Sequence, residues 1–143
     1  MPTSFYKITS HLMALLGEAP AVSANIYRAR DRNIPADNLT ALNIQFEGAS
    51  PMAIAINGAP IDWMSKFSVD CYAKSKSVDG DEAVDPLLAE VFKRVAGDTT
   101  LGGLVADVGA PFIETDYGAE GFRTGWVRLT YPVQHRTRNS TLE

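Results

Sequence analysis

The residues of this chain that could do chemistry are few. Of 143 residues, two are histidines, His11 and His135, and one is a cysteine, Cys71. A catalytic histidine needs a positioned partner, and neither histidine has a motif around it. A nucleophilic cysteine needs an exposed, activated thiolate. Cys71 instead shares the apolar parity of Val69 and Ala73 and reads as a small core residue. A single cysteine also rules out an internal disulfide. The last cluster is acidic: Asp79-Gly80-Asp81-Glu82-Ala83-Val84-Asp85, with Glu90 twelfth counting from Asp79. An EF-hand calcium loop needs an oxygen ligand at position five and glycine at six. Ala83 and Val84 stand there, so the run reads as a solvated, helix-capping loop. No pair of carboxylates is singled out for acid–base work. The zincin, CxxC, nucleophile-elbow and phosphate-loop signatures are missing from the sequence. Gly102-Gly103 lacks phosphate-loop spacing and reads as a tight turn with positive φ. The sequence calls for no cofactor and no metal, and on residues alone two classes stand. One is an assembly protein that works through its surfaces, and the other a small enzyme or ligand-binding domain with an unmarked pocket.

The elements that would carry such surfaces follow from periodicity. Phe5, Ile8, Leu12, Leu15 and Leu16 fall on one helical face, capped by Thr3 or Ser4 and ended by Gly17 and Pro20. Residues 22–27 predict a short strand. Arg28, Arg30, Asp31, Arg32 and Asn33 follow as a polar run, either a solvated loop or one that meets an acidic partner surface. Residues 41–47 alternate as a half-buried strand, with Leu42, Ile44 and Phe46 opposite Asn43, Gln45 and Glu47. Two antiparallel strands are expected over 50–58 and 62–74, joined by a turn at Asn57-Gly58-Ala59-Pro60. A second helix is expected to start at Asp85-Pro86, or a turn earlier at Asp81, with Leu88, Val91, Phe92 and Val95 as its stripe. A strand over 104–114 should bury Leu104, Ala106, Val108 and Phe112. A last strand over 122–135 should place Val127, Leu129, Tyr131 and Val133 on one face and Trp126, Arg128 and Thr130 on the other. Residues 117–121 read as the loop between them. The order predicts one α+β domain over 1–135, an antiparallel or mixed sheet with two helices packed on one face, and a flexible tail over 136–143.

Charge narrows the partners. Thirteen basic residues against seventeen acidic ones give a net charge of −4, which argues against a dedicated DNA-binding domain. The start lacks a signal-peptide pattern, and the longest uncharged stretch, 48–61, is too short and broken to span a bilayer. A soluble, cytoplasmic chain without a membrane partner is expected.

The second half carries a resemblance. Val69-Asp70-Cys71-Tyr72-Ala73-Lys74 leads through a polar loop to Asp85-Pro86-Leu87-Leu88-Ala89-Glu90-Val91. Then come Asp98-Thr99-Thr100-Leu101-Gly102-Gly103-Leu104-Val105-Ala106-Asp107-Val108 and, last, Gly125-Trp126-Val127-Arg128-Leu129-Thr130-Tyr131-Pro132-Val133-Gln134-His135-Arg136-Thr137. In order and spacing, residues 69–137 resemble the tail terminator (minor tail protein U) family of long-tailed bacteriophages. The resemblance implies a structural, non-enzymatic virion tail protein assembled in the bacterial host cytoplasm. It implies a homohexameric ring that caps the tail tube, ends its polymerisation and offers the head-joining surface. The implied partners are the chain itself, a tail tube protein and a head-completion protein, with DNA passing through the lumen without specific binding. Another head–tail connector or tail completion protein is the nearest alternative. A ring needs different patches of each subunit to meet head to tail. Tyr72, Trp126 and Arg128, opposite the apolar parity of their strands, together with Arg28, Arg30 and Arg32, are the candidate contact residues. For the aromatic pair the alternative is that a helix covers that face.

Overall fold

A computed structural model describes residues 2–29, 39–52, 58–75, 78–118 and 123–143. Helix α1 runs Ser4–Gly17, and Thr3 caps it, its hydroxyl accepting from the Tyr6 amide at 3.2 Å. Ile8, Leu12 and Leu16 are buried at the predicted spacing, with Phe5 and Leu15 packed beside them. Strand β1, Ile26–Arg28, starts later than expected. Side chains explain the delay. Ser23 bonds Thr40 and the Asn25 amide, and Asn25 donates to the Thr40 carbonyl, so 22–25 forms a side-chain-held turn rather than a ladder.

Strand β2, Thr40–Pro51, covers the strand expected over 41–47 and runs on into the start of the one expected over 50–58, which pairs with β3 antiparallel as expected. Phe46 pairs with Phe67 and Gly48 with Lys66, so β2 spends two residues against one. Gly48, at φ 141°, absorbs this bulge, and the strand bends instead of ending. Residues 53–57, with Ile54, Ile56 and the start of the expected turn, lie outside the described residues. Strand β3 is Ile61–Ser75, antiparallel to β2.

Helix α2, Gly80–Ala96, takes the earlier of the two expected starts, within one residue of Asp81, and Asp79 holds the cap position. Pro86 is therefore interior. It deprives the Glu82 carbonyl of its helical donor, at an exposed place. The buried stripe is turned from the expected one. Val84, Leu87, Val91 and Val95 are buried, while Phe92 is 45% exposed and Leu88 only half-buried. A 3-10 turn at Leu101–Gly103 follows, with Gly102 at φ 67° and Gly103 at φ 91°, the positive values expected.

The strand expected over 104–114 is broken into β4, Asp107–Val108, and β5, Phe112–Gly118. Val108 pairs with Val133 and Phe112 with Thr130, four residues against three. This second bulge flips the face, and the 3-10 turn holds Leu104 off the sheet. Leu104, Ala106 and Phe112 are accordingly exposed, and Val105 and Val108 are the buried residues. Strand β6, Arg123–Thr137, buries Val127, Leu129, Tyr131 and Val133 as predicted. It runs past residue 135. Arg136 is held bidentate by Asp62, and the buried Thr137 accepts from the Trp63 indole at 3.0 Å. The Leu142 carbonyl also accepts from the Ser4 amide at 2.6 Å. The tail thus begins later than 136 and is tied to α1.

The sheet order is β1-β2-β3-β6-β4, with β5 following β4 along the same side of β6. Only the β1–β2 pair is parallel. Both helices bury their stripes in one core with Leu42, Ile44, Phe67, Val69, Val127 and Leu129. The fold is the expected α+β arrangement: a mixed six-stranded sheet with its two helices on one face.

Candidate interaction surface

The alternation that points Phe67, Val69 and Leu129 at the helices points Ser68, Asp70 and Arg128 the other way. Neither helix covers that second face. Across it, register aligns Asn43, Asp70, Arg128 and Glu114 on four neighbouring strands. Arg128 grips Asp70 with Nε to Oδ1 at 2.6 Å and Nη2 to Oδ2 at 3.1 Å. Its Nη1 lies 3.9 Å from Glu47, and its guanidinium sits 5.1 Å from the Trp126 ring centroid. Ser68 and Gln45 both donate to Glu47, at 2.6 and 2.7 Å. Asp70 is only 7% exposed, and Ser68 is fully buried beneath its neighbours' side chains.

Electrostatics follows from these contacts. The Asp70 carboxylate, accepting from the guanidinium, holds the Arg128 pKa above its usual value, with Glu47 and Glu114 adding to it. Partial burial works against charge on Glu47, but the Ser68 and Gln45 hydrogen bonds and the Arg128 charge outweigh it and hold the carboxyl below the usual range. This is a satisfied polar network that fixes its own side chains.

The candidate residues separate. Tyr72 pairs in register with Trp126, and Arg128 lies two residues on, so three of them share the uncovered face. The expectation that a helix might cover that face does not hold. Arg28 is elsewhere. It pairs with Ile44 on the helix side, donates to the Tyr6 carbonyl and to Ser10, and lies 4.2 Å over the Tyr6 ring. Arg30 and Arg32 lie outside the described residues.

Three features escaped the sequence reading. The first is the buried pair Ser65 and His135, hydrogen-bonded at 2.7 Å. Phe5 packs edge-on against the imidazole at 5.1 Å, and Nδ1 has no partner among the described residues. Burial pushes the His135 pKa down. Ser65 is fully buried and His135 2% exposed, so the pair lies inside the core. The signal was there: Ser65 and His135 sit on the inward parity of their strands. The second is His11, whose Nε2 meets Asp98 at 2.7 Å, while the other Asp98 oxygen accepts from the Gly102 amide at 3.0 Å. This clamp fastens the Leu101-Gly102-Gly103 turn to α1. The third is the edge strand β5, where Phe112 is 67% and Ile113 44% exposed.

Cys71 is buried as expected, and burial, with Asp70 adding to it, pushes its thiol up to about 12. It is inert at neutral pH. Asp81 and Glu82 occupy the first turn of α2, where negative charge suits the helix dipole. Comparison with known protein families and with curated proteins finds no match for this chain.

Proposed function

We propose that the chain is a structural subunit of a long phage tail, similar to the tail terminators, and works by assembling into a six-membered ring on the tail tube. The ordered resemblance over 69–137 supports this reading. One structural observation carries it furthest: one sheet face is left free of helices and presents Tyr72, Trp126 and Arg128 from a network that locks Arg128 in place. Pre-ordered aromatics and arginine suit an interface, because little side-chain freedom is lost on contact. The quoted motif residues also have mechanical duties. Asp98 and Gly102 form the α1 clamp, and Gly125 lets α2 approach the sheet. Such duties suit a protein that works through its shape. The ring would cap the tube, end its growth and receive the head-completion protein, and the reading assigns it no enzymatic step.

Native mass spectrometry of the full chain, alone and with purified tail tube, tests the proposal. Six chains of 15.5 kDa give a species near 93 kDa. Its appearance, alone or on the tube, is the expected result. A strict monomer in both conditions overturns the reading.

A further inference from the structure

We infer that the outer edge of β5 pairs with the outer edge of β1 of a second copy of this chain, so that the sheet runs on from copy to copy. The inference rests on the ring reading and names its contact.

The first ground is that the sheet ends open on both sides. Among the described residues β5 pairs with β6 alone and β1 with β2 alone. β1 is held on its ladder at both ends. The Asn25 carbonyl accepts from the Leu42 amide at 2.8 Å, and the Ala29 amide donates to the Ile44 carbonyl at 2.9 Å. Alternation then turns the backbone groups of Ile26 and Arg28 away from β2. An open edge invites another strand unless charge or a bulge blunts it. β5 instead starts with two large apolar residues, Phe112 at 67% and Ile113 at 44% exposure. β1 and β5 run in opposite directions. A neighbour generated by rotation about an axis along the strands therefore meets β5 antiparallel. The two edges are unlike patches, as a head-to-tail contact that closes into a ring requires.

Charge selects the same partner. Residues 79–92 and 107–115, on the β5 side, hold seven carboxylates and no lysine or arginine. On the helix face Asp81, Glu82 and Asp85 rim a groove of about 500 Å³ beside Thr115. The opposite side, from α1 to β1, has one carboxylate, Glu18 at the far end of α1, against Lys7 and Arg28. Arg28 lies on the helix side of β1, and the Tyr6 carbonyl and Ser10 hydroxyl that accept from it are neutral. With the helix sides of both copies on one side of the shared sheet, Arg28 faces the acidic groove of the next copy. The exposed Tyr6 ring, 4.2 Å from its guanidinium, comes with it toward Ile113. Main-chain bonds then hold the edge, and these side chains choose its occupant.

The test uses the full chain, with native mass spectrometry over a concentration series and backbone hydrogen exchange at 112–116. Assembly should slow exchange at 112–116. Arg28→Glu should raise the concentration needed for half-assembly about tenfold, and so should Glu82→Lys/Asp85→Lys. Combining the three substitutions should restore it, which a merely misfolded variant cannot do. Ile113→Lys, at an exposed position, should weaken assembly by at least as much while leaving the thermal melt of the monomer unchanged. A ring that forms without slowing exchange at β5, or is indifferent to these charges, overturns the inference and leaves the ring reading standing. A dimer protected at β5 but insensitive to Arg28→Glu joins two β5 edges to each other and overturns it too. Slowed exchange at β5 only with tail tube, and insensitive to Arg28→Glu, assigns the edge to the tube protein and also overturns it. A strict monomer alone and with tube overturns both readings.

Discussion

Gly125→Ala is the substitution whose cost can be worked most directly from the structure. An ideal Cβ on Gly125 would lie 2.0 Å from the Gly80 carbonyl oxygen, 2.8 Å from its carbon and 3.0 Å from Val84. Ordinary C···O contacts stand at about 3.3–3.6 Å. The first turn of α2 would thus have to retreat by more than 1 Å. The two nearest obstacles are backbone atoms of Gly80 at a helix start, so no side-chain rotation gives relief. Overpacking of this kind costs about 1–3 kcal/mol. Retreat would also loosen Val84 and Leu87, now 1% and 5% exposed, so about 2–4 kcal/mol is expected in all. At this chain length each kcal/mol moves Tm by about 3 °C, which predicts a fall of about 6–12 °C in a thermal melt. Gly97→Ala is the matched control. Gly97 sits at φ −81° with no atom closer than 3.5 Å to the added methyl, so alanine fits and restricts the unfolded chain. Its Tm should be unchanged or slightly raised. Equal melting of Gly125→Ala and wild type would refute the close helix–sheet approach that positions α2.

The other predictions concern titration and the polar row. His135 is buried with its pKa held below the usual 6.5, so the unfolded chain binds a proton that the folded chain refuses. Stability should be full above pH 6.5 and decline as pH falls from there toward the lowered value. His135→Gln, measured by urea titration at several pH values, should flatten that slope, and an unchanged slope would locate the titrating group elsewhere. Asp98 has a lowered pKa, first because His11 hydrogen-bonds it and next because the Gly102 amide does. Its contribution is present above its unfolded value near 3.8 and is lost as pH falls through the lower folded value. Asp98→Asn should therefore cost up to about 1 kcal/mol at neutral pH and nothing in acid. In the polar row, Arg128→Met should destabilise more than Asp70→Asn, by about 1–3 kcal/mol in chemical denaturation. It strands a nearly buried carboxylate, whereas Arg128 without Asp70 still has Glu47 and Glu114 near. The reverse order would refute this account.

The legible parts of the fold are those where one period runs unbroken. The face of α1, the inward set Phe67, Val69, Cys71 and Ala73, and the alternation of β6 all follow from the sequence because nothing interrupts them. The misreadings sit at single-residue irregularities. One extra residue near Gly48 lets β2 run on past the expected end at 47, and one between Val108 and Phe112 splits an expected strand and exposes Phe112. Period-two reasoning cannot see a bulge, since a one-residue slip reverses every later side chain. Of the two starts the sequence offers for α2, packing decides for the earlier. Asp85-Pro86 has good start chemistry, but Gly125 provides a seat for Gly80 from forty-five residues away, and local propensity yields to that packing. Of the candidate contact residues, Tyr72, Trp126 and Arg128 were legible as one group because alternation alone places them. Arg28 was not, because its salient property was charge, whereas its position is set by Tyr6 and Ser10 on a helix far away in sequence.

That contrast bears on how the uncovered face should be understood. Burying Asp70 beside a solvent-facing sheet surface is costly unless its charge is met, and Arg128 meets it with two hydrogen bonds. A face needed only for solubility would not require this, since scattered lysines and glutamates remain hydrated at no such cost. The row Asn43–Asp70–Arg128–Glu114 instead spends desolvation to hold one guanidinium fixed beside Trp126. The helix side is held mainly by the apolar stripe from Ile8 to Val95, with the buried Ser65–His135 pair within it. Removing Arg128 should therefore damage contact with a partner more than its effect on folding would suggest, and the Arg128→Met chain gives the comparison. If its assembly defect equals that of a core variant matched in Tm, the row is only a stabilising element. If the defect is larger at equal Tm, the ordering of the face is itself what the partner reads.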